Sequence, residues 1–96
     1  NATSHFTYLL SKKALAQLTT MAALELAPNI RVNGICPGLI LPPAGKDESY
    51  MHKRAEEVPL KMHGSPEDVI RAMEFLLNNP FITGHNITVD GGEHLN

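Results

Sequence analysis

The strongest constraint on this chain is a long helical signal that runs straight into a short β-branched segment. From about Ser4 to Leu26, the apolar residues Leu10, Ala14, Leu18, Met21 and Ala22 recur every three to four positions, with Leu15 and Leu26 on the flank. That is the period of one helix face. Leu, Ala and Lys recur through the segment and are good helix formers, and Pro28 ends it because proline cannot continue the backbone hydrogen-bond ladder. Ile30 to Cys36 follows, apolar at positions 30, 32, 35 and 36 and closed by Pro37, which reads as a strand. A long helix joined to a strand by a tight turn is the αβ half of a βαβ unit, and such units need a parallel sheet.

Downstream signals extend this order. Pro42, Pro43 and Gly45 predict a loop, and Glu48 to about Val58 reads as a polar helix with Tyr50, Met51 and Ala55 as apolar contacts. Ser65, Pro66 and Asp68 stand where an N-cap, a first-turn proline and a capping-box partner belong. They predict a helix whose buried face is Val69, Ile70, Met73, Leu76 and Leu77, stopped by Asn78, Asn79 and Pro80. Ile87 to Val89 reads as a last strand closed by Asp90-Gly91-Gly92. Two strands do not make a stable sheet, so an α/β chain of this order reads as the second half of a doubly wound parallel-sheet domain. Asn1 stands where an initiator methionine would, directly before helix, which also predicts a part of a longer polypeptide. No repeat or linker divides residues 1–96.

Composition removes several classes. With 8 Lys plus Arg against 10 Asp plus Glu and a net charge of -2, the chain lacks the basic footprint of a nucleic-acid or anionic-membrane surface. No apolar run approaches the roughly 20 residues of a membrane span. The single cysteine excludes an internal disulfide, and the 5 histidines are scattered without metal-ligand spacing. Cys36, among apolar residues at a strand end, reads as an inert thiol. The sequons at Asn1 and Asn86 read as chance matches.

Tyr8 and Lys12 lie four apart on the first helix, about 40° apart around its axis and one turn displaced. A nearby ammonium favours phenolate and draws tyrosine below its ordinary pKa of about 10, making it a workable proton donor to a forming alkoxide or amide anion. Such pairs also occur on many solvated helices, so spacing alone does not decide the role.

The surrounding residues say more. Tyr8-Leu9-Leu10-Ser11-Lys12-Lys13-Ala14 resembles the Tyr-x-x-Ser-Lys-x-Ala signature of the short-chain dehydrogenase/reductase family. The resemblance continues through the strand ending in Pro37-Gly38, the helix start Gly64-Ser65-Pro66-Glu67-Asp68-Val69, and Ile82-Thr83-Gly84 with Val89-Asp90-Gly91-Gly92. It implies a Rossmann-type domain of which residues 1–96 are the C-terminal part, the N-terminal cofactor-binding half lying upstream. It implies hydride transfer from NADP or NAD, NADPH slightly preferred, to a C=O or C=N. Tyr8 would be the proton donor and Lys12 the partner that holds the nicotinamide ribose and depresses Tyr8. Pro37, Gly38 and the backbone at Ile40 would border the nicotinamide, as ligand sites beyond the carboxyl ends of parallel strands do. Gly38 also has a plain reading as a turn residue.

Two departures accompany the resemblance. Pro42 and Pro43 stand where the family often has a threonine, and the glycine-rich loop, the Asn-Asn-Ala-Gly segment and the catalytic serine would all lie before Asn1. Gly38-Leu39-Ile40-Leu41-Pro42-Pro43 and Val58-Pro59-Leu60 resemble pteridine reductases, with a generic carbonyl or 3-oxoacyl reductase as the alternative. The resemblance further implies a cytoplasmic homotetramer acting on a small carbonyl or pteridine substrate. The extra apolar width that Leu9, Leu15 and Leu26 give the first helix, and the free edge at Ile87 to Val89, fit such an assembly. The opposing reading is a non-catalytic piece that serves assembly alone.

Overall fold

The computed structural model describes the backbone of residues 2–96 and the side chains of residues 6, 7 and 9–96. Its elements are α1 (Ala2–Leu26), β1 (Gly34–Pro37), α2 (Glu48–Ala55), α3 (Pro66–Leu77) and β2 (Asn86–Val89), followed by a 3₁₀ turn at Glu93–Leu95. The strands pair as a two-stranded sheet. Gly34 N–H donates to His85 O and Gly38 N–H to Val89 O, both at 2.9 Å. The register advances equally and in the same direction on both strands, so the pair is parallel, as the α/β reading requires. Among the described residues no helix is long and apolar enough to cross a membrane.

Two compact units make up the chain, one of Asn1–Gly34 with Asn79–Asn86 and the other of Ile35–Asn78 with Ile87–Asn96. In the first, α1 closes where Asn29 and Ile30 N–H groups both turn back to Leu26 O. The strand predicted from Ile30 begins only at Gly34. Between 31 and 33 one backbone bond remains, Gly84 N–H to Val32 O (2.7 Å), and side chains make the others: Val32 N–H donates to Thr83 Oγ1 (3.1 Å), Asn33 Nδ2 to Ile82 O (3.1 Å), and His85 N–H to Asn33 Oδ1 (3.0 Å). The side-chain bonds take the place of most backbone pairing here, and the regular ladder starts at Gly34.

The predicted apolar face of α1 is also corrected. Leu10, Leu15, Leu18 and Met21 are exposed, and Ala23 is the buried apolar residue of the helix among those described. Phe6, Leu9 and Leu24 are exposed as well, so apolar side chains surround the helix instead of forming one covered stripe.

The second unit holds Met51, Ala55, Val58 and Leu76 as its buried apolar residues. Helix α2 begins where the sequence predicts because Asp47, unnoticed in the sequence, caps it: Oδ1 accepts from Ser49 N–H (3.1 Å) and Tyr50 N–H (3.3 Å). It ends at Ala55 and not Val58. The N–H groups of Glu56, Glu57 and Val58 each reach back three residues, to Lys53, Arg54 and Ala55, and this tightened tail delivers Val58 into the core. Helix α3 starts as read, with Ser65 N–H donating to Asp68 Oδ2 (2.8 Å). Its predicted buried face is reduced to Leu76, since Ile70, Met73 and Leu77 are exposed. A period marks which side is apolar, whereas burial needs an element to lie against it.

Candidate functional site

The helix α1 is continuous across positions 8 and 12, so the backbone spacing assumed for Tyr8 and Lys12 stands. Lys12 is half-buried. The Tyr8 side chain lies outside the described residues, as does the Asn1 sequon.

Pro37, Gly38 and Ile40 stand together in the second unit, at the carboxyl end of β1. Pro37 is exposed and has no N–H to spend on the ladder, a position at which a strand tolerates proline. Gly38 is glycine because of a close approach: a Cβ there would meet Asp90 Cβ at 2.4 Å and Asp90 Cα at 2.8 Å. Its plain structural role is therefore real, and it fixes how β1 ends against the turn after β2. Beyond it, Leu39 O accepts from Gly64 N–H (2.8 Å), which anchors the segment to the start of α3. The backbone N–H and C=O of Ile40 make no hydrogen bond among the described residues. Its side chain lines a cavity of about 180 Å³ together with Leu60, Met62, His63 and Asp68.

Met62 and His63 also wall a second, larger cavity of about 560 Å³, which His52, Glu56 and Lys61 complete. His63 Nδ1 lies 2.7 Å from Gly64 O. A carbonyl only accepts, so Nδ1 carries the proton and Nε2 is left facing Glu48 Oε1 at 3.6 Å. The rings of His52 and His63 meet edge to face with centroids 6.1 Å apart. Among the described residues no group of three or more His, Cys, Asp or Glu could hold a metal ion. Cys36 is a half-buried free thiol.

The turn after β2 carries an arrangement that sequence reading passed over as a strand terminator. Asp90, whose side chain is 5% exposed, accepts from Gly92 N–H (3.0 Å), from His94 N–H (2.8 Å) and from His94 Nδ1 (2.9 Å). Burial pushes this carboxyl up, but the His94 ring and the two N–H groups outweigh it, so Asp90 sits below the ordinary carboxylate range. Gly91 takes φ +64, and a Cβ there would lie 2.7 Å from Val58 Cγ1, so the turn needs glycine twice over. Glu93 then accepts from Arg54 Nη2 at 3.1 Å, while Arg54 Nη1 donates to Tyr50 Oη at 3.0 Å. The recognisable signal was the Asp-x-Gly-x-His spacing, in which an Asp can accept from N–H groups two and four residues on.

Known proteins resemble this chain over nearly all of its length. A family described as enoyl-(acyl carrier protein) reductase matches residues 1–94. Dihydromonapterin reductase of Citrobacter koseri is 37% identical over 91 residues, covering 95% of this chain and 38% of that protein. Its counterpart in an Escherichia coli O6:K15:H31 strain is 36% identical over the same share of each chain. The chain thus spans 38% of the length of these curated relatives. Among solved structures, FolM alternative dihydrofolate reductase 1 from Brucella suis in complex with NADP superposes with a TM-score of 0.84 at 37% identity, over 95% of this chain and 37% of that one. Ligand-free aldohexose dehydrogenase from Thermoplasma acidophilum gives a TM-score of 0.78 at 34% identity, over 93% and 41% of the two chains.

Proposed function

This chain belongs to the short-chain dehydrogenase/reductase family, and from that premise we propose that the whole protein is an NADP(H)-dependent reductase of a pteridine. The observation that carries the reading is the likeness to dihydromonapterin reductase, 37% identical across 95% of the chain, joined by the likeness to a FolM reductase solved with NADP. The sequence loops Leu41-Pro42-Pro43 and Val58-Pro59-Leu60 point the same way. No observation favours the non-catalytic assembly piece.

The residues of this chain fit such a cofactor on a specific ground. A primary carboxamide carries an NH2 group that donates and a C=O that accepts, and the Ile40 peptide groups offer an unspent acceptor and donor at the end of a parallel strand. Pro37 would lie against the nicotinamide with its exposed ring, and Gly38 would set its height. When bound, the nicotinamide supplies the hydride that reduces the substrate C=O or C=N. Tyr8 would donate the accompanying proton to the substrate heteroatom. Lys12 would hold the ribose hydroxyls and favour Tyr8 phenolate, easing release of that proton. We assign the whole protein a homotetrameric state, in which the exposed apolar residues Leu15, Leu18 and Leu24 of α1 are covered by a second copy.

The test is a purified full-length protein assayed for NADPH oxidation with a dihydropteridine and, in parallel, with a 3-oxoacyl thioester. Turnover of the pteridine supports the proposal. Turnover of the thioester alone replaces it with the carbonyl reductase reading.

A further inference from the structure

The end of β1 rests on a backstop built by the turn after β2. Asp90 touches Gly38 so closely that no side chain fits between them, with a Cβ on Gly38 falling 2.4 Å from Asp90 Cβ and 3.1 Å from Glu93 Oε1. Asp90 is itself immobilised by bonds from Gly92 N–H, His94 N–H and His94 Nδ1. The far side of the turn is fastened to α2 and its tail, through Arg54 to Glu93 (3.1 Å) and Asn96 Nδ2 to Glu57 O (2.9 Å). Gly92 lies against Pro59, where an added Cβ would meet Pro59 Cβ at 3.2 Å. A turn tied at both ends in this way has little freedom to slide, and whatever leans on it inherits that position.

We propose that Asp90 and His94 are positioning residues for the cofactor site: their pairing locks the turn after β2 and thereby sets where Pro37, Gly38 and Ile40 stand. The inference rests on the reading above that these three residues border the nicotinamide. Neither Asp90 nor His94 touches the reacting atoms in this scheme. Their effect passes through Gly38, whose N–H is bonded to Val89 O (2.9 Å), one residue before Asp90. His94 is the better handle, because its ring is 47% exposed on the side-chain scale and its replacement leaves the core untouched.

The experiment compares full-length wild type with His94→Ala and His94→Asn, since an asparagine amide can donate from near the place of the Nδ1 proton. Two readouts are taken on each: hydrogen–deuterium exchange of the peptide covering Gly38 to Leu41 without cofactor, and the NADPH dissociation constant by fluorescence. His94→Ala should speed exchange and weaken NADPH binding by roughly the fivefold that one net hydrogen bond is worth, with kcat at saturating NADPH nearly unchanged. His94→Asn should restore both. Unchanged exchange in a normally melting His94→Ala protein overturns the proposal. So does an equal loss in kcat with the dissociation constant unmoved. Faster exchange in a protein whose wild type fails to bind NADPH would instead retire the nicotinamide reading, and with it this role, so the two failures are told apart.

Discussion

The Lys61 ammonium donates to the carbonyl of Glu56 at 2.7 Å from a backbone held in the left-handed region at φ 57. Lys61 is the last residue of the turn that begins at Val58, its N–H donating to Val58 O at 2.8 Å, and its left-handed conformation is one glycine adopts at no steric cost. Left-handed backbone costs an ordinary residue about 1–2 kcal/mol, while glycine's looser unfolded state takes back part of the gain. Lys61→Gly is therefore expected to stabilise the whole protein by about 0.5–1 kcal/mol, read as a higher urea midpoint at constant slope. A lower midpoint would show that the Lys61 to Glu56 bond outweighs the backbone term.

Gly38→Ala makes the opposite prediction. A methyl group cannot fit against Asp90 without moving backbone, so a loss of about 1–3 kcal/mol is expected from overpacking. Cofactor affinity should fall with it, which thermal melts and NADPH titration on the same sample would establish. A variant as stable as wild type would mean that the strand end yields.

Tyr8→Phe in the whole enzyme should lower turnover by about 10² to 10⁴-fold, the range of general acid catalysis, and leave NADPH affinity intact because only the donated proton is lost. Steady-state rates and cofactor binding measured together decide it. Retention of more than about a tenth of the rate removes Tyr8 from the role.

Lys12→Met should impair both cofactor affinity and rate and move the pH profile upward, because the ammonium is assigned both ribose binding and phenolate stabilisation. A pH–rate series on wild type and variant is the check. An unmoved profile contradicts the electrostatic part.

Asp90 gives a pH signature. Its carboxyl is held below its ordinary value, so the native state favours the ionised form. That contribution is complete above the unfolded carboxylate pKa of about 3.9 and is lost as pH falls through the lower folded value. Asp90→Asn should thus destabilise the whole protein at pH 6, with the gap to wild type narrowing below pH of about 4. Denaturant melts at both pH values measure it, and a gap that widens in acid would reverse the assignment.

Much of this protein was written in local sequence. Pro28, Pro37, the paired prolines at 42 and 43, and the Ser65–Asp68 capping box set element starts and stops through backbone chemistry that acts within a few residues. The family signature around Tyr8 and Lys12 was legible for the same reason, since a helix fixes an i to i+4 relation without outside help. Tertiary structure decided the rest. Whether Ile70, Met73 or Leu18 is covered depends on what lies against the helix, and their exposure could not follow from periodicity. The late start of β1 goes with bonds from Val32 and Asn33 to Thr83, Ile82 and His85, partners distant in sequence. The close approach of Asp90 to Gly38 belongs to neither sequence reading of that glycine, nicotinamide border or turn residue, because a contact between residues so far apart along the chain is created by folding and leaves no spacing to read.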